Sequence, residues 1–473
     1  MQQRRTKIVA TLGPACSEPA TLRAMLAAGV DVLRVNFSHI NEDTLQLIGK
    51  ARGIATELDR PLAIIADLQG PKLRIGHFKG NSTKLVDGQS FILDCGSKEL
   101  GNNQFVSIDY TNLCYELNPG DHLLLDDGLI ELEVKSITPP QIHCLVIEGG
   151  LLANNKGLNR KGGGLAARAL TKKDKKDIET AVALEFDYLT LSFVKEANDI
   201  LEARQLLQQC GAQDMPIITK IERVEALENL TEIIHATDAV MVARGDLGVE
   251  IGAAEVPAIQ KRIIEKSRQL DKIVITATQM MESMINHPQP TRAEVSDVAN
   301  AILDGTDAVM LSAETATGHF PVKVVSMVDR ICRSVEKHTS FFYKTDDESC
   351  HYQRADQAIA MAAMHTANHF PIKGIIALTE SGASAVWMSR HHGIVPIFAV
   401  TANPHTVRKL SLVNNVFPIL LNYHGNKPNK VNEVVITYLL ELSLIEKNSF
   451  VLLTRGHRIG HPGGTSCMEI IRV

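Results

Sequence analysis

The chain has 473 residues, 45% of them apolar and 22% charged, with a formal net charge of −5, which allows about three domains with sizeable cores and gives no sign of a nucleic-acid binder. Its eight cysteines form no CxxC pair, which argues against a structural zinc site or a small disulfide scaffold and fits reduced thiols in a cytoplasmic enzyme. The start, MQQRRTKIVATLGPACS, is too short and broken for a signal peptide, and no apolar stretch of roughly 18 residues predicts a membrane span.

Short runs rich in Val and Ile at 6–12, 31–37, 62–68, 187–194, 215–221, 238–243, 272–277 and 307–311 predict strands, with helical spacing between most of them. After the first run, PATLRAMLAAG predicts a helix with Ser17 as N-cap, Pro19 in the first turn and Gly29 at the end. The second run ends in LRVNFSH, which carries Arg34, Asn36, Ser38 and His39. The third, IIADLQGPKLRIG, stops at Asp67; Gly70-Pro71 breaks the chain, and Lys72 and Arg74 follow at once. From 71 to 168 the helical signal vanishes. Alternating segments with turn signals at Asp87-Gly88, Pro119-Gly120-Asp121, Asp127-Gly128 and Pro139-Pro140 predict an all-β insertion, placed to act as a lid over the strand ends.

The helical pattern then resumes. Lys172-Lys173 and Lys175-Lys176, beside Asp174 and Asp177, read as a solvated helix face, and EANDILEARQLLQQCG as a helix closed by Gly211. The fifth run ends in Lys220, Glu222 and Arg223, the sixth in Arg244, Gly245 and Asp246. The seventh ends in Thr276, Thr278 and Gln279, the eighth in Ser312 and Glu314. DAVM at 238 and again at 307 is a faint internal repeat. Eight buried strands alternating with helices predict a (β/α)8 barrel; a doubly wound sheet is the alternative, but GxGxxG is missing after the first strand. Beyond KHTSFFYKTDDESCHYQ a second α/β pattern begins, with strands GIIALT, VPIFAVT, VFPILL and SFVLLTRG. The expected division is 1–70 and 169–341 for the barrel, 71–168 for the all-β lid domain and 342–473 for a C-terminal α/β domain.

In a parallel barrel, chemistry collects after the carboxyl ends of the strands. Six of the eight runs end there in useful polar groups. Asp67, Glu222 and Asp246 offer hard oxygens without Cys or His, which suits Mg²⁺ or Mn²⁺ rather than zinc. Arg34, Lys72, Arg74 and Lys220 add cations, so the set suits a phosphorylated anionic substrate and phosphoryl transfer. Lys220 also admits a Schiff-base role in an aldolase or lyase, which its neighbour Glu222 disfavours by stabilising the ammonium. A barrel with decayed chemistry, serving as a sensor, is the other alternative.

TKIVATLGPA, LRVNFSH, DLQGPKLR, TKIER, VMVARGDLGVE, ITATQMMESM, PTRAEVSDVANAILDGTDAVMLSAETATG and TESGASA, in that order, closely resemble the signatures of the pyruvate kinase family, in its bacterial form. The resemblance implies transfer of the phosphoryl group of phosphoenolpyruvate to ADP, giving pyruvate and ATP in the last step of glycolysis, by a cytoplasmic homotetramer. It implies that Glu222 and Asp246 hold the divalent metal and that Arg34 meets the transferring phosphate. Lys220 would neutralise charge on that phosphate and on the enolate oxygen. Ala243, Arg244, Gly245, Asp246 and Thr278 would bind substrate, and Asn36, His39, Arg74 and Lys156 the nucleotide. A water near Thr278 and Ser312, or else Lys220, would protonate the enolate. Potassium-dependent members look like DTKGPEIR where this chain has DLQGPKLR. Lys72 is therefore expected to replace the potassium ion beside Asn36, Ser38, Asp67 and Leu68, so that no K⁺ is required.

In the C-terminal domain, Thr379, Ser381, Gly382 and Ser384 lie between a strand and a helix, where hydroxyls and N–H groups can cradle phosphate. Arg455 and Gly464, in TRGHRIGHPGGTS, could close over the same pocket. The resemblance implies an allosteric phosphorylated effector there, a sugar monophosphate or AMP. His365 and His369, four apart on a predicted helix, read as structural, and Trp387, Met280, Met281 and Met284 as packing residues.

Overall fold

The computed structural model describes residues 3–165, 168–338, 354–391, 393–423, 428–457 and 464–473. The expected boundary at 341–342 and residues 458–463 of the glycine-rich C-terminal stretch lie outside them. The eight apolar runs form a closed parallel barrel: Lys7–Thr11, Val32–Asn36, Ala63–Asp67, Tyr188–Leu191, Ile217–Ile221, Ala239–Ala243, Ile273–Ala277 and Ala308–Leu311, the first to eighth barrel strands below. Neighbours in sequence are neighbours in the barrel. Because the strands are covered on both faces, almost all their residues are buried, which is why they read as continuous apolar runs.

The amino ends of the strands explain the DAVM repeat. Asp31, Asp187, Asp238 and Asp307 each stand one residue before an even-numbered barrel strand. Each carboxylate accepts a backbone N–H at the start of the preceding odd strand: Ile8 at 2.9 Å, Ile64 at 2.8 Å, Ile217 at 2.8 Å and Val274 at 2.9 Å. Each also meets an arginine: Arg4 at 2.8 Å, Arg408 at 2.6 Å, Arg204 at 2.8 Å and, for Asp307, Arg390. The four aspartates clamp the strands in pairs, at the barrel end where such residues serve stability.

Two local expectations need correction. Helix Pro19–Ala28 has Glu18, not Ser17, at its N-cap. Ser17 is engaged in the preceding turn, where its hydroxyl donates to the Pro14 carbonyl at 2.9 Å. In helix Lys172–Ala183 the lysines face solvent, but Asp174 is buried. It forms a capping box with Thr171 and accepts the Gly70 N–H at 3.1 Å.

The insertion is all-β apart from one short unexpected helix, Leu113–Glu116. Its six-stranded sheet runs in the order Leu158–Arg160, His122–Leu125, Ile130–Thr138, Gln141–Glu148, Ser90–Asp94, Phe105–Ser107. Ile130, Leu132 and Val134 point inward while Glu131 and Glu133 alternate with them. Phe91, Leu93, Leu123, Leu125, Ile142 and Val146 complete its own core. The C-terminal sheet runs Val416–Leu420, Ile397–Thr401, Ile372–Leu378, Phe450–Gly456, Thr465–Arg472. The last of these is an antiparallel edge strand that the sequence pattern does not predict, since none of its side chains is buried.

The chain divides into two compact units. One comprises Met1–Ala66, Glu185–Leu189 and Ile264–Val473, the other Asp67–Leu184 and Thr190–Ile263. Among the described residues no helix is long and apolar enough to cross a membrane, and the seven of the eight cysteines that are described are free thiols.

Candidate active site

The second unit brings together the acids and lysines from the ends of the third, fifth and sixth strands. Lys220 Nζ lies 3.0 Å from Asp67 Oδ1 and donates to Ser192 Oγ at 2.9 Å. The Ser192 hydroxyl in turn donates to the Leu68 carbonyl at 2.7 Å. Asp67 is only 1% exposed, so the lysine is seated on a carboxylate with little freedom to move. Glu222, just past the fifth strand, accepts the Phe193 N–H at 2.6 Å. Phe193 holds φ at 58°, a backbone bend uncommon for a bulky residue. Burial pushes the Glu222 carboxyl up to about 7, Lys220 opposes this, and Asp246 adds to it.

Lys72 makes the second acid–base pair. Its Nζ donates to Asp246 Oδ1 at 2.7 Å and lies 3.9 Å from Asp127 Oδ1 in the insertion. Burial works against the charge of Lys72, but the Asp246 carboxylate outweighs it and holds the ammonium above its ordinary range. Three carboxylates thus face two ammonium groups. Asp246 lies in the first turn of helix Arg244–Ile251, which starts directly after the sixth strand. The N–H groups of Arg244, Gly245 and Asp246 therefore stand at a helix start, a setting suited to anions. Arg244 turns its side chain to Gln260, at 3.4 Å. Lys156 pairs with Asp126 at 2.7 Å, and Arg74 donates to the Asn155 carbonyl at 2.8 Å.

The first unit has strand ends of its own. Arg34 donates to Thr11 Oγ1 at 3.1 Å. Asn36 accepts the Ser38 N–H at 3.0 Å, and His39 is exposed. Thr278 and Gln279 both hold positive φ, at 65° and 54°, and the Thr278 hydroxyl donates to the Ala277 carbonyl at 2.7 Å. Buried Glu314 accepts the Ser312 N–H at 2.7 Å and the Met281 N–H at 3.1 Å, tying the eighth strand end to the seventh. Sequence reasoning missed Ser192 and Phe193 because they act through a hydroxyl and a backbone N–H, which a run of strand residues does not set apart.

Glu222 and Asp246 offer hard carboxylate oxygens, though among the described residues no group of three or more His, Cys, Asp or Glu side chains is drawn together around one point. That donor set fits a hard divalent ion that fills the rest of its shell with water and substrate oxygens.

In the C-terminal domain, Gly382 has φ 85° and caps helix Ala383–Arg390, and its N–H donates to Thr379 Oγ1 at 2.9 Å. Ser384 Oγ and Arg455 Nε are buried without a hydrogen-bond partner among the described residues, while Ser381 and Gly464 are exposed. His365 and His369 stack at 4.3 Å, and His369 Nδ1 lies 2.8 Å from the His365 carbonyl, as local helix packing requires. Met280, Met281 and Met284 are fully buried.

A closed (β/α)8 barrel whose strand ends bring carboxylates against seated ammonium groups has the frame of a phosphotransferase. Residues 3–325 match the pyruvate kinase barrel domain and residues 357–471 the pyruvate kinase alpha/beta domain. The chain is 47% identical to a pyruvate kinase of Buchnera aphidicola from Acyrthosiphon pisum, over 99% of each chain. It is 44% identical to pyruvate kinase II of Salmonella typhimurium, again over 99% of each. A crystal structure of a pyruvate kinase from Cryptosporidium parvum superposes with a TM-score of 0.90 at 32% identity, covering 99% of this chain and 96% of that one. The chain belongs to the pyruvate kinase family.

Proposed function

We propose that this chain transfers the phosphoryl group of phosphoenolpyruvate to ADP. The bond from phosphorus to the enol oxygen breaks, a bond to the terminal oxygen of ADP forms, and the released enolate takes a proton at carbon to become pyruvate. The observation that carries the reading is Lys220 held between Asp67 and Ser192 beside buried Glu222. A fixed ammonium is suited to an oxygen that gains charge as phosphorus leaves. Arg34 receives the transferring phosphate. The helix start at Ala243, Arg244 and Gly245, with Thr278, receives the substrate carboxylate. Asn36, His39, Arg74 and Lys156 serve the nucleotide. A water held near Thr278 and Ser312 delivers the proton.

Glu222 and Asp246 would hold the divalent ion, Mg²⁺ or Mn²⁺, whose contribution is neutralisation of substrate charge. Lys72 supplies a tethered positive charge where other members use potassium, and Leu68 is buried and has no side-chain oxygen for such an ion. The C-terminal cradle of Thr379, Ser381, Gly382, Ser384, Arg455 and Gly464 takes a phosphorylated effector, a sugar monophosphate or AMP. The unpartnered Ser384 hydroxyl and Arg455 Nε support that reading. We assign the functional divisions to 1–70 with 169–341, 71–168, and 342–473. We also assign a homotetrameric assembly by family likeness and a cytoplasmic setting, in keeping with the free thiols.

The test is a lactate-dehydrogenase-coupled assay with phosphoenolpyruvate, ADP and Mg²⁺, in tetramethylammonium buffer with and without added K⁺. Pyruvate formation at equal rates in both is expected. No pyruvate would sink the reaction, and a large drop without K⁺ would sink the role of Lys72.

A further inference from the structure

We propose that Lys72 is a latch on the divalent-ion site: its ammonium occupies Asp246 while the ion is away and passes to Asp127 of the insertion when the ion takes that carboxylate. The inference rests on the reading of Asp246 as an ion ligand.

The geometry supports a hand-over. Lys72 lies in the segment that leads from the third barrel strand into the insertion. Its Nζ sits 2.7 Å from Asp246 Oδ1 and 3.9 Å from Asp127 Oδ1, so one ammonium stands between a barrel carboxylate and a carboxylate of the insertion. Asp246 is 24% exposed and Lys72 21%, whereas Asp127 is 73% exposed. The pair with Asp246 is the better sheltered of the two and therefore the resting one. A divalent ion bound to Asp246 repels an ammonium 2.7 Å from the same carboxylate and weakens its hold on Oδ1, which favours release of the lysine toward Asp127.

The receiving turn is built to respond. Asp126, Asp127 and Gly128 all hold positive φ, at 51°, 55° and 88°, between strands His122–Leu125 and Ile130–Thr138. Lys156 pairs with Asp126 at 2.7 Å, and the Asp126 N–H donates to the Gly157 carbonyl at 3.2 Å. A side chain on Gly157 would come within 2.9 Å of Lys72 Cε, so the bare backbone there leaves a track for the lysine stem. Releasing Lys72 moves a positive charge from the barrel to this turn, which couples ion occupancy to the insertion before any substrate arrives.

The test uses substrate-free protein and Mn²⁺ alone. Free Mn²⁺ is read by electron paramagnetic resonance, and amide exchange is followed over residues 122–130. Lys72→Met is expected to bind Mn²⁺ about tenfold tighter than wild type, the scale of one charge-assisted hydrogen bond lost to competition. Mn²⁺ is expected to slow exchange in the turn of the wild type, and not in Lys72→Met or Asp127→Asn. Unchanged or weaker Mn²⁺ affinity in Lys72→Met overturns the latch, as does equal tightening in Lys156→Met, which would mark a general field effect. An exchange response that persists in Lys72→Met overturns the hand-over. Asp246→Asn separates the two levels. If it leaves Mn²⁺ binding intact, the ion-site reading itself fails; if it weakens binding while Lys72→Met changes nothing, only the latch fails.

Discussion

Lys220 carries the proposed chemistry, and its two contacts bear on the readings its sequence position allows. Seated 3.0 Å from buried Asp67 and bonded to Ser192, it is held as an ammonium, which suits the proposed charge stabilisation better than a Schiff base that needs the free amine. Lys220→Met is expected to lower kcat by roughly 10²–10³-fold, as for loss of one preorganised stabilising group, with a smaller change in KM for phosphoenolpyruvate. It should also lower Tm, because Asp67 is left buried without its cation. Lys220→Arg should restore Tm more than kcat, and steady-state kinetics beside thermal melts would show the split. Much of this was legible in the sequence. Lys220, Glu222 and Asp246 announce themselves because a charge directly after a buried apolar run needs a reason to be there. The bond from Lys72 to Asp246 was not legible, because 174 residues separate the partners and no spacing rule spans that distance. Ser192 and Phe193 act through a hydroxyl and a backbone N–H, which carry no such signal.

At the scale of elements, the four aspartates at the amino ends of the even strands do by side chain what the barrel's hydrogen-bond ladder cannot do at its rim. The sequence showed two of them as the DAVM repeat. The other two, Asp31 before Val32 and Asp187 before Tyr188, were hidden because the residues after them differ. Burial ranks their importance. Asp187 and Asp307 have fully buried side chains, Asp31 is 16% exposed and Asp238 37%. Asp307→Asn and Asp187→Asn should each cost about 3–5 kcal/mol, the scale for breaking a buried ion pair. Asp31→Asn should cost less, and Asp238→Asn on the order of 1 kcal/mol. Differential scanning calorimetry of the four variants checks the order, and equal losses across the series would refute the clamp. Asp307 also reaches into the C-terminal domain through Arg390 and the Asn414 N–H at 2.9 Å, which sets its variant apart from the others.

At the scale of the whole molecule, the insertion carries its own core, with Phe91, Leu93, Val106, Leu123, Leu125, Leu132, Val134, Ile142 and Val146 all fully buried. A fragment spanning 71–168 is expected to fold alone, with dispersed amide resonances in a heteronuclear spectrum. A collapsed, poorly dispersed spectrum would show that it depends on the barrel. This part of the architecture was readable in the sequence because the hydrophobic period changes from helical to alternating at Gly70-Pro71 and back after 168. The C-terminal edge strand was not, because its exposed side chains break the alternation that marks a half-buried strand.

The insertion also sets a timetable. On the ribosome, strand Ala63–Asp67 emerges roughly 120 residues before its barrel neighbour Tyr188–Leu191, a delay of about 6–24 s at ~5–20 residues per second. Throughout that interval a three-stranded fragment waits with both edges open, since the first strand also lacks its partner Ala308–Leu311, and such edges invite pairing with a foreign chain. The β insertion is completed first, so during translation it is a finished body tethered to an unfinished ring, and the risk of aggregation is concentrated in the first third of the nascent chain.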